Sequence, residues 1–143
     1  MSTENKALVR RFLVEGIERG DRAVFDELLA PDVADHAAAP GLPPGREGWQ
    51  RNRAIMATGF PDLRFGIEDL LADGDRVIAR TVFTGTHRGD FFGLGATGKP
   101  VTVSAIHIFR IDDGRIAEHW ATSDDLAMLR QLGVVPPHEA LAS

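Results

Sequence analysis

Cysteine is absent from the 143 residues, which removes disulfides, thiol catalysis and Cys-ligated zinc or iron–sulfur centres from consideration. A thiol-free chain is compatible with a reducing cytoplasm, and a cytoplasmic location is the expectation. Long apolar runs are missing too. The opening residues, Met1 to Lys6, are polar, so neither a signal peptide nor a membrane span is expected. Basic residues are outnumbered, 16 against 21 acidic ones, for a net charge of −5. Nucleic-acid phosphates would be repelled by that balance, and no basic run offsets it. No H-x-x-x-H or similar spacing points to a metal, and no G-x-S-x-G elbow points to a serine hydrolase. No metal is expected.

What the chain does contain is ordinary for a soluble globular protein, with 43% hydrophobic and 26% charged residues. Its length suits one domain able to bury roughly two-thirds of its unfolded surface without staples. The expectation is a single domain over 1–135 and a loosely held tail over 136–143.

The glycine-rich stretch GLGATGKP, Gly93 to Pro100, matches G-x-G-x-x-G and falls one residue short of a P-loop, because Pro100 stands where Ser or Thr belongs. Both motifs need a helix to start at the glycines and present its free N–H groups to a phosphate. Residues 100–111 are instead rich in β-branched side chains and read as a strand. Pro100 also biases Lys99 away from helical geometry. The stretch is a loop between strands, and no nucleotide is expected.

Periodicity supplies the organisation. Leu8 and Phe12, with Val9, Leu13 and Ile17, form an apolar stripe for a helix over about 4–19. Gly20 and Asp21 suit a helix end and the N-cap of a second helix through Leu29, closed by Pro31. A short extended piece covers 32–37, and a third helix 47–58. From Leu63 the period falls to two. Strands follow at Leu63–Glu68, from Arg76 through Phe83, Pro100–Ile111 and Arg115–Thr122, with tight turns at Asp73-Gly74-Asp75 and Asp112-Asp113-Gly114. A last helix spans about 124–131. Helices segregated from a curled antiparallel meander make an α+β fold, and a bent sheet wrapped on helices leaves a concavity for a ligand.

Alternation narrows the chemistry to few residues. Glu118, Trp120, Thr122 and Asp124 share one face of the last strand, and His119 falls on the other, outer one, where it suits a subunit contact. On the neighbouring strand His107 sits among Val103, Ala105, Phe109 and Ile111. Alternation leaves open which face is concave; taking that of His107 puts His107, Trp120 and Asp124 around one pocket. A carboxylate in an apolar cleft is a strengthened base, and a nearby histidine can polarise an enolate oxygen or return a proton. Asp124 also suits the N-cap of the last helix, and His107 also suits a core histidine bonded to a carbonyl. His36, beside a Pro-rich loop, and Trp49 are candidate substrate contacts. Phe91-Phe92 suits a flap over the cavity. His87 is expected to face solvent, and His138 lies in the tail.

Three stretches, FPDLRF at 60–65, GDRVIARTVFTGTHRGDFFGLGATGKPV at 74–101 and IFRIDDGRIAEHWATSDDLAMLRQLG at 108–133, resemble the SnoaL-like polyketide cyclases, or ester cyclases. The resemblance implies an NTF2-like cone, a curved sheet with helices over its open side, assembled as a homodimer or homotetramer through the sheet. It implies intramolecular aldol ring closure of an aromatic, hydrophobic polyketide precursor without metal or cofactor. The family's acid/base aspartate after the EHW strand maps to Asp124, its pocket histidine to His107 and an early histidine to His36. Trp49, Phe92 and Trp120 are the residues expected to hold such a substrate in a reactive fold. The same fold also hosts isomerases, dehydratases, hydrolases and non-catalytic binders.

Overall fold

The computed structural model describes residues 2–136; His138 and nearly all of the expected tail lie outside them. Helix α1 (Ser2–Arg11) runs without interruption into a π-helical stretch, Phe12–Glu18, and α2 (Arg22–Leu28) follows. Asp21 caps α2 as its sequence suggests, its carboxylate accepting from the Ala23 N–H at 3.0 Å. The wider π turns bury Phe12, Leu13, Gly16 and Ile17 together. Their open end is closed by Arg53, which donates to the carbonyls of Ile17 and Glu18.

Strand β1 (Leu29–Asp35) then leads to α3 (Gly45–Gly59) and four long strands, β2 (Arg64–Asp73), β3 (Arg76–Thr86), β4 (Pro100–Asp112) and β5 (Arg115–Ser123), before α4 (Asp125–Gln131). The sheet order is β1-β5-β4-β3-β2, with β1 parallel to β5 and the rest antiparallel. Helical side chains Phe12, Phe25 and Trp49 meet Val77, Ala79, Phe109 and Ile116 of the inner sheet face in the main core. A second, smaller core gathers Phe60, Leu63, Val101, Val103 and Leu132 at the other end, and Met56 packs against both.

One register detail decides which side chains face inward. The hairpin closes with Asp112 opposite Arg115 and Ile111 opposite Ile116, but Arg110 then pairs with Glu118, so Ala117 is an extra, bulged residue. A bulge moves every later side chain of its strand to the opposite face. Simple alternation through the turn sets His107 against Trp120; in the structure His107 lies opposite Ala121 and Phe109 opposite His119. The expected inward Trp120 and outward His119 are thereby exchanged.

The glycine-rich loop is a loop, as its context requires, with a small turn between Phe91 and Leu94 and positive φ at Phe92 (49°), Gly93 and Gly98. His87 does not face solvent but is fully buried. Its Nδ1 accepts from the Thr97 N–H at 3.2 Å and its Nε2 lies 3.2 Å from the Leu94 carbonyl, which ties the loop to the end of β3.

Candidate active site

Between the two cores the inner sheet face carries small side chains. Ala79, His107 and Ala121 stand in one row across β3, β4 and β5, and Thr81, Ala105 and Ser123 in the next. His107 is therefore flanked by alanines on both neighbouring strands. Aromatic rings approach it from other directions: Phe65 at 6.0 Å between centroids, and Phe109 stacked at 5.8 Å. Thr81 is 1% exposed in this apolar setting.

The polar groups here form a chain. His107 Nδ1 lies 2.9 Å from His119 Nε2, and His119 Nδ1 lies 2.8 Å from Asp35 Oδ1. Parallel pairing of β1 with β5 puts Asp35 beside His119, while the His36 N–H donates to the His119 carbonyl at 2.9 Å. Asp35 Oδ1 also accepts the Ala37 N–H at 3.0 Å, which fixes the carboxylate. Trp49 of α3 sets its ring edge-on to His119 at 4.7 Å. His119 is only 3% exposed.

The acid end dictates the protons. A carboxylate accepts only, so His119 holds its proton on Nδ1. An uncharged His119 then offers a lone pair at Nε2, and His107 must donate to it from Nδ1. His107 Nε2 is left bare. That nitrogen is buried without a hydrogen-bond partner, as are Thr81 Oγ1 and Trp49 Nε1. Burial first, and the neighbouring His119 second, push the His107 pKa down from 6.5 to about 3, against the opposing pull of Asp35. The ring is uncharged at neutral pH, with the bare Nε2 lone pair held out of water.

Only part of the sequence-derived set converges here. His107 and Trp49 do. Trp120 is on the outer face, stacked on His36 at 5.2 Å with the Arg76 guanidinium 4.8 Å above its ring. His36 is there too, its Nε2 2.7 Å from Glu118 Oε2. Phe92 is 49% exposed, against Phe91 and facing a shallow groove along α3. Asp124 is exposed at the end of β5, where its N–H donates to the Ser104 carbonyl at 2.9 Å and its Oδ1 accepts from the Ala127 N–H at 3.0 Å. The buried, base-like carboxylate expected at 124 is therefore absent from that position, because the side chain is committed to capping α4. Asp35, His119 and Thr81 were not among the expected site residues: His119 because the Ala117 bulge is silent in the pattern, Asp35 because only the pairing of β1 with β5 brings it there, and Thr81 because nothing local sets it apart from its β3 neighbours.

The profile of the SnoaL-like polyketide cyclase family matches residues 7–132. The chain belongs to that family. Among curated relatives it is 39% identical over 61 residues to the aklanonic acid methyl ester cyclase DnrD of Streptomyces peucetius, a match covering 43% of this chain and 42% of that one. The match thus spans about two-fifths of that cyclase's length. With the nogalonic acid methyl ester cyclase of Streptomyces nogalater the identity is 28% over 128 residues, or 85% of this chain and 92% of the relative. TsrD from Streptomyces laurentii superposes with a TM-score of 0.86 at 32% identity, covering 94% of this chain and 98% of that one. A SnoaL-like polyketide cyclase from Agrobacterium tumefaciens strain C58 gives 0.71 at 26% identity, over 90% and 98%. These SnoaL-like neighbours identify the curved five-stranded sheet and its helices as the NTF2-like α+β fold. Among the described residues no helix is long and apolar enough to cross a membrane.

Proposed function

We propose that this SnoaL-like chain closes a ring in a polyketide-like substrate by an intramolecular aldol-type reaction, with His107 as the acid/base group. The bare Nε2 of His107, held on an apolar sheet face by a hydrogen bond through its other nitrogen, carries the reading. In this reaction Nε2 takes an acidic proton from a carbon flanked by carbonyls; burial works against that step by lowering the His107 pKa, and the negative charge of Asp35, which pulls it up, works for it. The enolate attacks an internal carbonyl, and the proton on Nε2 returns to the new alkoxide. Protons balance over the cycle, so no metal or organic cofactor is needed. Positioning supplies much of the rate, because ring closure needs a folded conformer and exclusion of water. The side chains at 79, 105 and 121 are small, and the rings of Phe65 and Phe109 lie beside His107, so a substrate carbon reaching Nε2 would meet an apolar setting.

Three curated relatives bear names of methyl ester cyclases, which favours ring closure over isomerisation, dehydration or simple binding. Aklanonic acid methyl ester is accordingly the first substrate to assay. His107→Gln should lower kcat by about 10²- to 10⁴-fold, the usual worth of general acid–base catalysis, with the fold intact by circular dichroism. Equal turnover by the variant and the parent would rule the assignment out.

A further inference from the structure

Two neutral imidazoles in series can be polarised in either direction. Left to themselves, His119 and His107 would be as well satisfied with His107 Nε2 protonated, and a protonated Nε2 is a donor rather than a base. One group breaks the tie. Asp35 Oδ1, 2.8 Å from His119 Nδ1, accepts and never donates while ionised. Its position is itself determined, by the Ala37 N–H on the same oxygen and by the pairing of Asp35 with His119 across β1 and β5.

We infer that Asp35 is the positioning residue of the site, acting through His119 to keep the lone pair of His107 directed at the substrate. The inference rests on the proposed role of His107 as base. Asp35 also supplies the counter-charge once His107 takes a proton, because the imidazolium then shares its Nδ1 proton with His119, and His119 with the carboxylate. This carboxylate–imidazole logic, with the acid fixing tautomer and stabilising the cation, is general for catalytic histidines. Here it runs across three strands, β1, β5 and β4, and through two rings.

Tautomers can be read without a substrate, from two-bond ¹⁵N–¹H spectra of the full chain. In the parent protein at neutral pH both rings should show Nδ1–H and a bare Nε2, with a low-field His119 Nδ1–H resonance. Asp35→Ala removes the acceptor. His107 should then populate both tautomers, and the low-field resonance should vanish. Asp35→Asn offers an uncharged oxygen to the same two donors, so the tautomers should persist while the counter-charge is gone. In the ring-closure assay Asp35→Asn should lower kcat by about 10- to 100-fold, with KM changed less than about threefold, and Asp35→Glu should recover part of the loss. Nε2–H on His107 in the parent, or an unchanged His107 tautomer in Asp35→Ala, would overturn the inference. So would full kcat in Asp35→Asn. If Asp35→Ala does not fold, the Asn variant decides through its kcat. If the parent closes no ring, the cyclase reading fails while the spectra still judge Asp35.

Discussion

At the residue scale the site is marked by polar atoms that ordinary packing would not tolerate. An unsatisfied buried hydroxyl costs about 1–3 kcal/mol, and valine has nearly the shape of threonine without that liability. Thr81 nevertheless sits on the inner face, one row along the sheet from His107, with its Oγ1 unpaired. Thr81→Val should therefore raise stability by about 1 kcal/mol, read as a higher midpoint in urea, and lower ring-closing turnover if the hydroxyl holds a substrate oxygen. A less stable variant would show that the hydroxyl has a partner in solution. His107 carries its own liability. Its folded pKa of about 3 lies below the ordinary 6.5, so the unfolded chain binds a proton that the folded one refuses between those values. Stability should fall as pH drops through that window, by at most about 1.4 kcal/mol per unit, and level off below it. Urea titrations from pH 7 to 4 should show a shallower slope for His107→Gln; identical slopes would mean that the ring charges in the folded state.

At the element scale, strand β5 shows what could and could not be read from the residues. Its span, its turn at Asp113-Gly114, the alternation of β3 and the helix after it all follow from local pattern, since turn glycines and apolar periods are local properties. Which face each residue presents is not local. It depends on the single extra residue Ala117, whose effect appears only when β4 is laid against β5. His107 was identifiable as a polar group in an apolar row, whereas Asp35 and His119 became partners only through pairing between strands more than 80 residues apart in sequence. Asp124 illustrates the same limit from the other side. Two roles suited it, and the start of α4 claims its carboxylate. Asp124→Ala should cost about 1 kcal/mol through loss of the cap, lowering the melting temperature, and Asp124→Ser should restore most of that loss. Turnover in the serine variant should stay near that of the parent. A collapse of kcat in a stably folded Asp124→Ser protein would return the carboxylate to the chemistry.

For the whole molecule, the face of the sheet opposite the site carries an apolar row set between the ion pairs Arg80–Asp69 and Arg110–Glu118. Leu71, Ile78, Ile108 and Trp120 lie in one register row across β2, β3, β4 and β5, and Ile106 beside them is 51% exposed. A contiguous row of this kind suits a partner surface better than water. We propose a second copy packed through the sheet as that partner, the arrangement the family resemblance implies; a self-complementary two-fold contact is the commonest way to bury such a face. Light scattering should then give a homodimer or a larger even assembly for the parent. Ile106→Glu, which alters an already exposed side chain, should yield a folded monomer; a parent that stays monomeric at high concentration would dismiss the sheet interface. Such an interface would bear on the proposed chemistry, because β5 presents a side chain to each face of the sheet. Trp120 belongs to the outer row, and its chain neighbour His119 is the middle link of the proton-bearing chain. Burying Trp120 against a second copy would stiffen β5 and hold His119 between Asp35 and His107. The monomeric variant should accordingly lose kcat while keeping the Nδ1–H tautomers, since the hydrogen bonds that set the polarity run within one chain and a second copy would lend only rigidity.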